Sequence, residues 1–179
     1  MTNLTALVVY ESVFGNTEQV ARAVADGLAE HLDVEVLEVA QAPAPIVDLL
    51  DLVVVGGPTH AFSMSRPGTR EDARRQGATQ GKASTGIREW LTKLHAGPHS
   101  ELVATFDTKV EKVRRLPGSA ARAARKAVKH LGYIPVVKAE SFYVVDVNGP
   151  LIEGELPRAR AWGQQLAAEV LRRAHQPIV

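Results

Sequence analysis

Residues 52–57 read LVVVGG, an unbroken apolar run stopped by two glycines and then Pro58. Apolar residues without alternation make a strand covered on both faces, as at the centre of a parallel sheet. Such a strand needs helices above and below it, and the rest of the chain supplies them in turn. Residues 4–10 read as a buried strand and 16–30 as a helix, with Val20, Val24 and Leu28 at four-residue steps. Residues 34–39 alternate acidic and apolar, the pattern of a half-exposed edge strand. QAPAP is a break, and IVDLL predicts one short turn of helix over 46–50. Residues 63–82 are polar, basic and glycine-rich, which predicts a long surface excursion. A helix over 87–94, a strand over 102–106 and an alanine-rich helix over 120–131 follow. A strand over 136–145 and a helix over 156–173 complete the series.

Strand and helix alternate throughout, which implies a parallel sheet with right-handed crossovers. The predicted fold class is α/β, a three-layer doubly wound sandwich on a five-stranded parallel sheet in the order 2-1-3-4-5. There is no internal repeat and no linker, so 1–179 reads as a single domain. In sheets of this kind ligands sit beyond the carboxyl ends of the strands, where the strand order reverses. Three loops lead there: those after the first, third and fourth strands.

Composition narrows the chemistry. The chain is 45% hydrophobic and 23% charged, which excludes global disorder. It has no cysteine, so thiol catalysis, disulfides and cysteine metal sites are excluded. Its six histidines are scattered. No apolar run approaches the ~20 residues of a membrane helix, and the N-terminus has no basic, then apolar, leader pattern. The expectation is a cytoplasmic protein with no membrane partner. Net charge is only +1, but Lys109, Lys112, Arg114, Arg115, Arg122, Arg125, Lys126 and Lys129 fall close together. No aromatic residues interleave with them, which argues against nucleic acid as the partner.

The first loop is Ser12-Val13-Phe14-Gly15-Asn16-Thr17. It opens a helix, whose unpaired amides and positive dipole end bind phosphate without a basic side chain. Ser12, Asn16 and Thr17 add side-chain donors, and Gly15 lets the backbone come close. Asn16 with Gln19 also reads as a capping box, in which case the glycine only makes a turn. The loop is neither G-x-G-x-x-G nor a P-loop. GATQGKAS at 77–84 has three residues between its glycines, Ala83 in the Ser/Thr position and no preceding strand, so it is rejected as a P-loop too.

This loop, at this place after the first strand, resembles the flavodoxin phosphate loop [ST]-x-[ST]-G-N-T, with Phe14 where a hydroxyl is usual. Together with GGPTH, and with an element order similar over nearly the whole chain, it implies a flavodoxin-like fold that binds FMN. In that family the loop surrounds the FMN phosphate. The related NAD(P)H:quinone oxidoreductases often carry an aromatic residue at the position of Phe14.

The second loop offers Pro58, Thr59, His60, Ala61 and Phe62. The resemblance implies that it lies beside the flavin ring, with His60 where a stacking Trp is frequent and Phe62 as another residue to cover the ring. Ala61 stands where many flavodoxins have Gly. A Cβ there disfavours the left-handed turn that lets a carbonyl flip towards one-electron-reduced flavin. The third loop brings Thr105, Phe106, Asp107 and Thr108 as candidates to line the ring. Arg66, Arg70, Arg74, Arg75, Lys109 and Lys112 follow these loops, and nearby cations favour a reduced, anionic flavin. The resemblance implies an FMN-binding electron-transfer protein without a side-chain catalytic pair, and these cations predict a less negative potential than a typical flavodoxin's. Its redox partner is expected to be an acidic protein. The alternatives are an FMN-dependent NAD(P)H:quinone-type oxidoreductase, with His60 as proton donor, and a flavodoxin-fold binding module that has lost FMN.

Overall fold

The computed structural model describes residues 3–46 and 49–175. In chain order its elements are β1 (Thr5–Tyr10), α1 (Asn16–Leu28), β2 (Asp33–Glu38), β3 (Leu52–His60), β4 (Ser63–Met64), α2 (Pro67–Arg75) and α3 (Ile87–Leu91). Then come β5 (Leu102–Val110), a 3-10 turn (Glu111–Val113), α4 (Ala120–Leu131), β6 (Ile134–Pro135), β7 (Glu140–Val144) and α5 (Glu155–Ala174). Of the helical turn expected over 46–50, residues 47 and 48 fall outside the described residues, and Ile46, Leu49 and Leu50 are not helical.

The sheet runs β2-β1-β3-β5, all parallel, with β6 and β7 both on the far side of β5. This is the expected order, with its fifth strand in two pieces. The break between them has a local cause. The Val136 amide still donates to Val103 O at 3.0 Å. The Val137 carbonyl, however, accepts from Arg125 Nε at 3.2 Å instead of from the ladder. Pairing resumes where Glu140 meets Phe106.

Burial follows the sequence pattern. In β1 and β3 the apolar run is covered on both sides, whereas β2 is an edge strand that stays half exposed. Val8, Val54 and Ala104 pack under α1 and α5 with Phe106, Phe142 and Trp162. Val9, Val55 and Val103 pack on the opposite face under α3 and α4. The excursion expected over 63–82 is only partly at the surface. It contains the hairpin strand β4 and the nine-residue helix α2, and Arg70 within it is among the most deeply buried side chains. Among the described residues no helix is long and apolar enough to cross a membrane.

Candidate functional site

Gly15 is the N-cap of α1, at φ 90°, a left-handed conformation that an L side chain resists. No side chain caps this end. Asn16 is the first helical residue rather than the cap, so the capping-box reading falls. Within the loop the Gly15 amide donates to Ser12 Oγ at 3.1 Å. Ser12 is buried and braces the turn, which leaves the start of the helix to face the cavity. Asn16 and Thr17 line a cavity of about 260 Å³ at the carboxyl ends of β1, β3 and β5. That is near the lower edge of small-molecule sites, about 300–1,000 Å³, and suits a ligand that projects partly into solvent.

Val13, Phe14, Pro58, Thr59, His60, Ala61 and Thr108 line the same cavity. Ser12, Gly15, Phe62, Thr105, Phe106 and Asp107 do not. The third loop divides by the two-residue period of a strand. Thr105 and Asp107 face α4, where Thr105 Oγ1 donates to Ala121 O at 2.9 Å and the Ala121 amide donates to Asp107 Oδ2 at 2.8 Å. Burial pushes the Asp107 carboxyl up, and the Ala121 amide and neighbouring hydroxyls pull it back. Phe106 and Thr108 face the other way. Phe106 is consumed by the core, edge to face with Phe142 and Trp162. Thr108 alone reaches the cavity, its hydroxyl 2.8 Å from Thr17 Oγ1.

The second loop is a tight hairpin. His60 pairs with Ser63, so Ala61 and Phe62 are its two turn residues, at φ 47° and 63°. Ala61 is thus left-handed despite its Cβ, as in a type I′ hairpin turn, which takes positive φ at both positions. Phe62 projects outward and is 47% exposed. His60 Nδ1 lies 3.1 Å from Thr69 Oγ1 on α2. Burial, aided by the Arg70 charge, holds the His60 imidazole below its ordinary pKa.

Over residues 7–67 the chain matches the family described as "Flavodoxin domain". No curated protein matches it in sequence. Among solved structures it is similar to a flavodoxin from the domain Archaea, at 17% identity and TM-score 0.63 over 94% of this chain and 99% of that one. It is similar to Bacillus cereus flavodoxin 1 at 14% identity and TM-score 0.62, over 97% and 99% of the two chains. It also resembles the diflavin flavoprotein A3 from Nostoc at 16% identity and TM-score 0.56, over 98% and 100%. The fold is that of the flavodoxins.

What sequence reasoning missed in this site is its outer wall. Thr69, Asp72, Ala73 and Gln76 of α2 line the cavity, as do Val110, Val144 and Val147. Phe14 packs with Val13, Ala73 and Ala78, so the aromatic residue of the first loop is where α2 seats. A charged network fixes the wall from behind. The Arg70 guanidinium donates to Ser65 Oγ at 2.7 Å, to Ala83 O at 2.8 Å and to Glu89 at 2.9 Å. Glu11, just before the first loop, lies 3.8 Å from Arg70 and accepts from the Ser65 hydroxyl and from the Ile87 amide. Burial pushes the Glu11 carboxyl up, against the pull of Ser65, the Ile87 amide and Arg70.

Arg70 is therefore spent on structure. So are Arg74, which donates to Gly81 O, and Lys109, whose ammonium donates to Leu116 O at 2.9 Å and Gly118 O at 3.1 Å. None of the six cations expected near the flavin lines the cavity, whereas Asp72 does. The one signal in the sequence that pointed to the network was Arg70 standing four residues before Arg74 on a short helix with Ala73 between them. A buried arginine is rare enough that the pattern reads as surface.

Proposed function

We propose that this cavity binds FMN and that the protein serves in electron transfer. The observation that carries the reading is the helix start at Gly15–Thr17, which no side chain caps and whose first two residues line the cavity. Unpaired amides and a helix dipole suit a phosphate monoester without a basic side chain. On this reading the backbone of residues 13–17 and the Asn16 amide hold the phosphate. The hairpin at Thr59, His60 and Ala61 and the hydroxyl of Thr108 bound the ring side. Bound FMN supplies the one- and two-electron chemistry, and the chain supplies position and electrostatics. The same reading puts the protein in the cytoplasm, which cell fractionation checks, and gives it an acidic redox partner.

Titration with FMN, followed by visible absorbance and flavin fluorescence, tests the proposal. A one-to-one endpoint with a shifted flavin band is expected, with affinity reduced in Asn16→Ala. A spectrum identical to free FMN at saturating protein sinks it and leaves the binding-module alternative.

A second reading, an FMN-dependent NAD(P)H:quinone-type oxidoreductase, is favoured by the wall that α2 adds, with Thr69, Asp72 and Gln76 towards the cavity. The lowered pKa of His60 counts against an imidazolium as its proton donor at neutral pH. Mixing the FMN-loaded protein with NADH or NADPH separates the two readings: bleaching of the flavin band within milliseconds to seconds selects the oxidoreductase.

A further inference from the structure

Beside the cavity mouth two loops each present a large apolar side chain to water. Phe62 is 47% exposed and Leu116 is 48% exposed. The loops touch: a Cβ added to Gly118 would lie 2.6 Å from Phe62 O, so their backbones meet with no room for a side chain. Both loops are held by local structure. Phe62 sits in the two-residue hairpin turn. The Leu116 loop is tied down by the buried Lys109 ammonium through Leu116 O and Gly118 O. A buried lysine is costly unless well bonded, and here both of its hydrogen bonds fix a loop that exposes a leucine.

The charge around this pair is one-sided. Residues 111–130 hold seven of the chain's 21 basic residues and one of its 20 acidic ones, Glu111. Lys112, Arg114, Arg115 and Arg122 are exposed around and beyond Leu116, and Arg66 is exposed just past the hairpin. Elsewhere the cavity lining includes the exposed Val147, which follows the exposed acidic Asp146 in the chain. Apolar anchors on tethered backbone inside a charged rim are the makings of a protein-docking surface, because little backbone freedom is lost on contact. The asymmetry of charge orients the partner.

We infer that the Phe62–Leu116 knob, with its Lys112–Arg115 rim, docks an acidic protein that carries its own redox centre at the mouth of the cavity. The inference rests on the proposed electron-transfer role for what the contact accomplishes, but the contact itself forms with or without flavin. A plant-type [2Fe–2S] ferredoxin is the acidic probe, cytochrome c the basic one, and a short DNA duplex the non-protein polyanion.

Backbone amide shifts of the labelled protein, measured with each probe, read docking directly. The visible spectrum of the same samples reads flavin binding separately, so the two ideas fail independently. Expected are ferredoxin-induced shifts at 60–63 and 111–118 that weaken with rising ionic strength, and none with cytochrome c. The exposed-surface variants Leu116→Ser and Lys112→Glu/Arg115→Glu should each raise the apparent Kd by about tenfold or more. Shifts confined to α4, unchanged affinity in both variants, preference for cytochrome c, or tighter binding to the DNA would each overturn the inference.

Discussion

Removing the Arg70 guanidinium leaves Glu11 buried without its positive neighbour and Ser65 and Ala83 without their donor. Breaking a buried ion pair from one side costs about 3–5 kcal/mol, so Arg70→Ala should lose stability on that scale in urea unfolding. Glu11→Gln/Arg70→Met, which removes both charges, should recover much of it. His60 carries a pH signature. Its folded pKa lies below the unfolded value of 6.5, so the unfolded chain takes up the proton first. The stability that this contributes is fully present above pH ~6.5 and is lost as pH falls through the folded pKa. His60→Asn should flatten that part of the stability profile, as read by thermal unfolding across pH. Neither residue was legible in full. The sequence marked His60 as a loop residue but not its bond to Thr69, and it marked Arg70 as surface because charge on a short polar helix usually is.

The β3–β4 hairpin is the element under most backbone tension, with two non-glycine residues at positive φ. Each costs roughly 1 kcal/mol relative to Gly, so Phe62→Gly should raise unfolding free energy by about that much. A close helix crossing is the opposite case. A Cβ on Gly27 would lie 2.1 Å from Arg160 O, and one on Gly163 would lie 2.2 Å from Val24 O. The helices α1 and α5 touch backbone to backbone there. Gly163→Ala forces them apart and should destabilise by about 1–3 kcal/mol or more, measured by the same denaturation. Helices and parallel strands were legible because their periods differ and because LVVVGG admits one setting. The faces of β5 were not. Thr105, Phe106, Asp107 and Thr108 are consecutive, and only register decides that one of them meets the cavity while another fills the core. The split of the last strand was equally hidden, since it turns on Arg125 capturing the Val137 carbonyl from another element.

For the molecule as a whole, a ligand that binds only the folded state stabilises by about 2.7 kcal/mol at a hundred times its Kd. In a chain of this size that is a rise in Tm of roughly 5–10 °C, so FMN at that excess should shift the melting curve by this much, and riboflavin, which lacks the phosphate, by clearly less. The order of the sheet and the position of the loops at its carboxyl edge could be read from the chain alone, because right-handed crossovers leave few ways to join five parallel strands. The outer wall could not, because nothing local tells a polar stretch that it will lie down against the first loop. That stretch leaves and rejoins the frame at almost one point: Arg88 donates to the carbonyls of Met64 and Ser65, and Arg70 reaches Ser65 at one end and Ala83 at the other. A segment whose ends already meet can change length at little entropic cost, about 0.6 kcal/mol per doubling. The cavity's outer wall is thus the part of this protein most open to remodelling, by descent or by design, with the sheet beneath it left as it is.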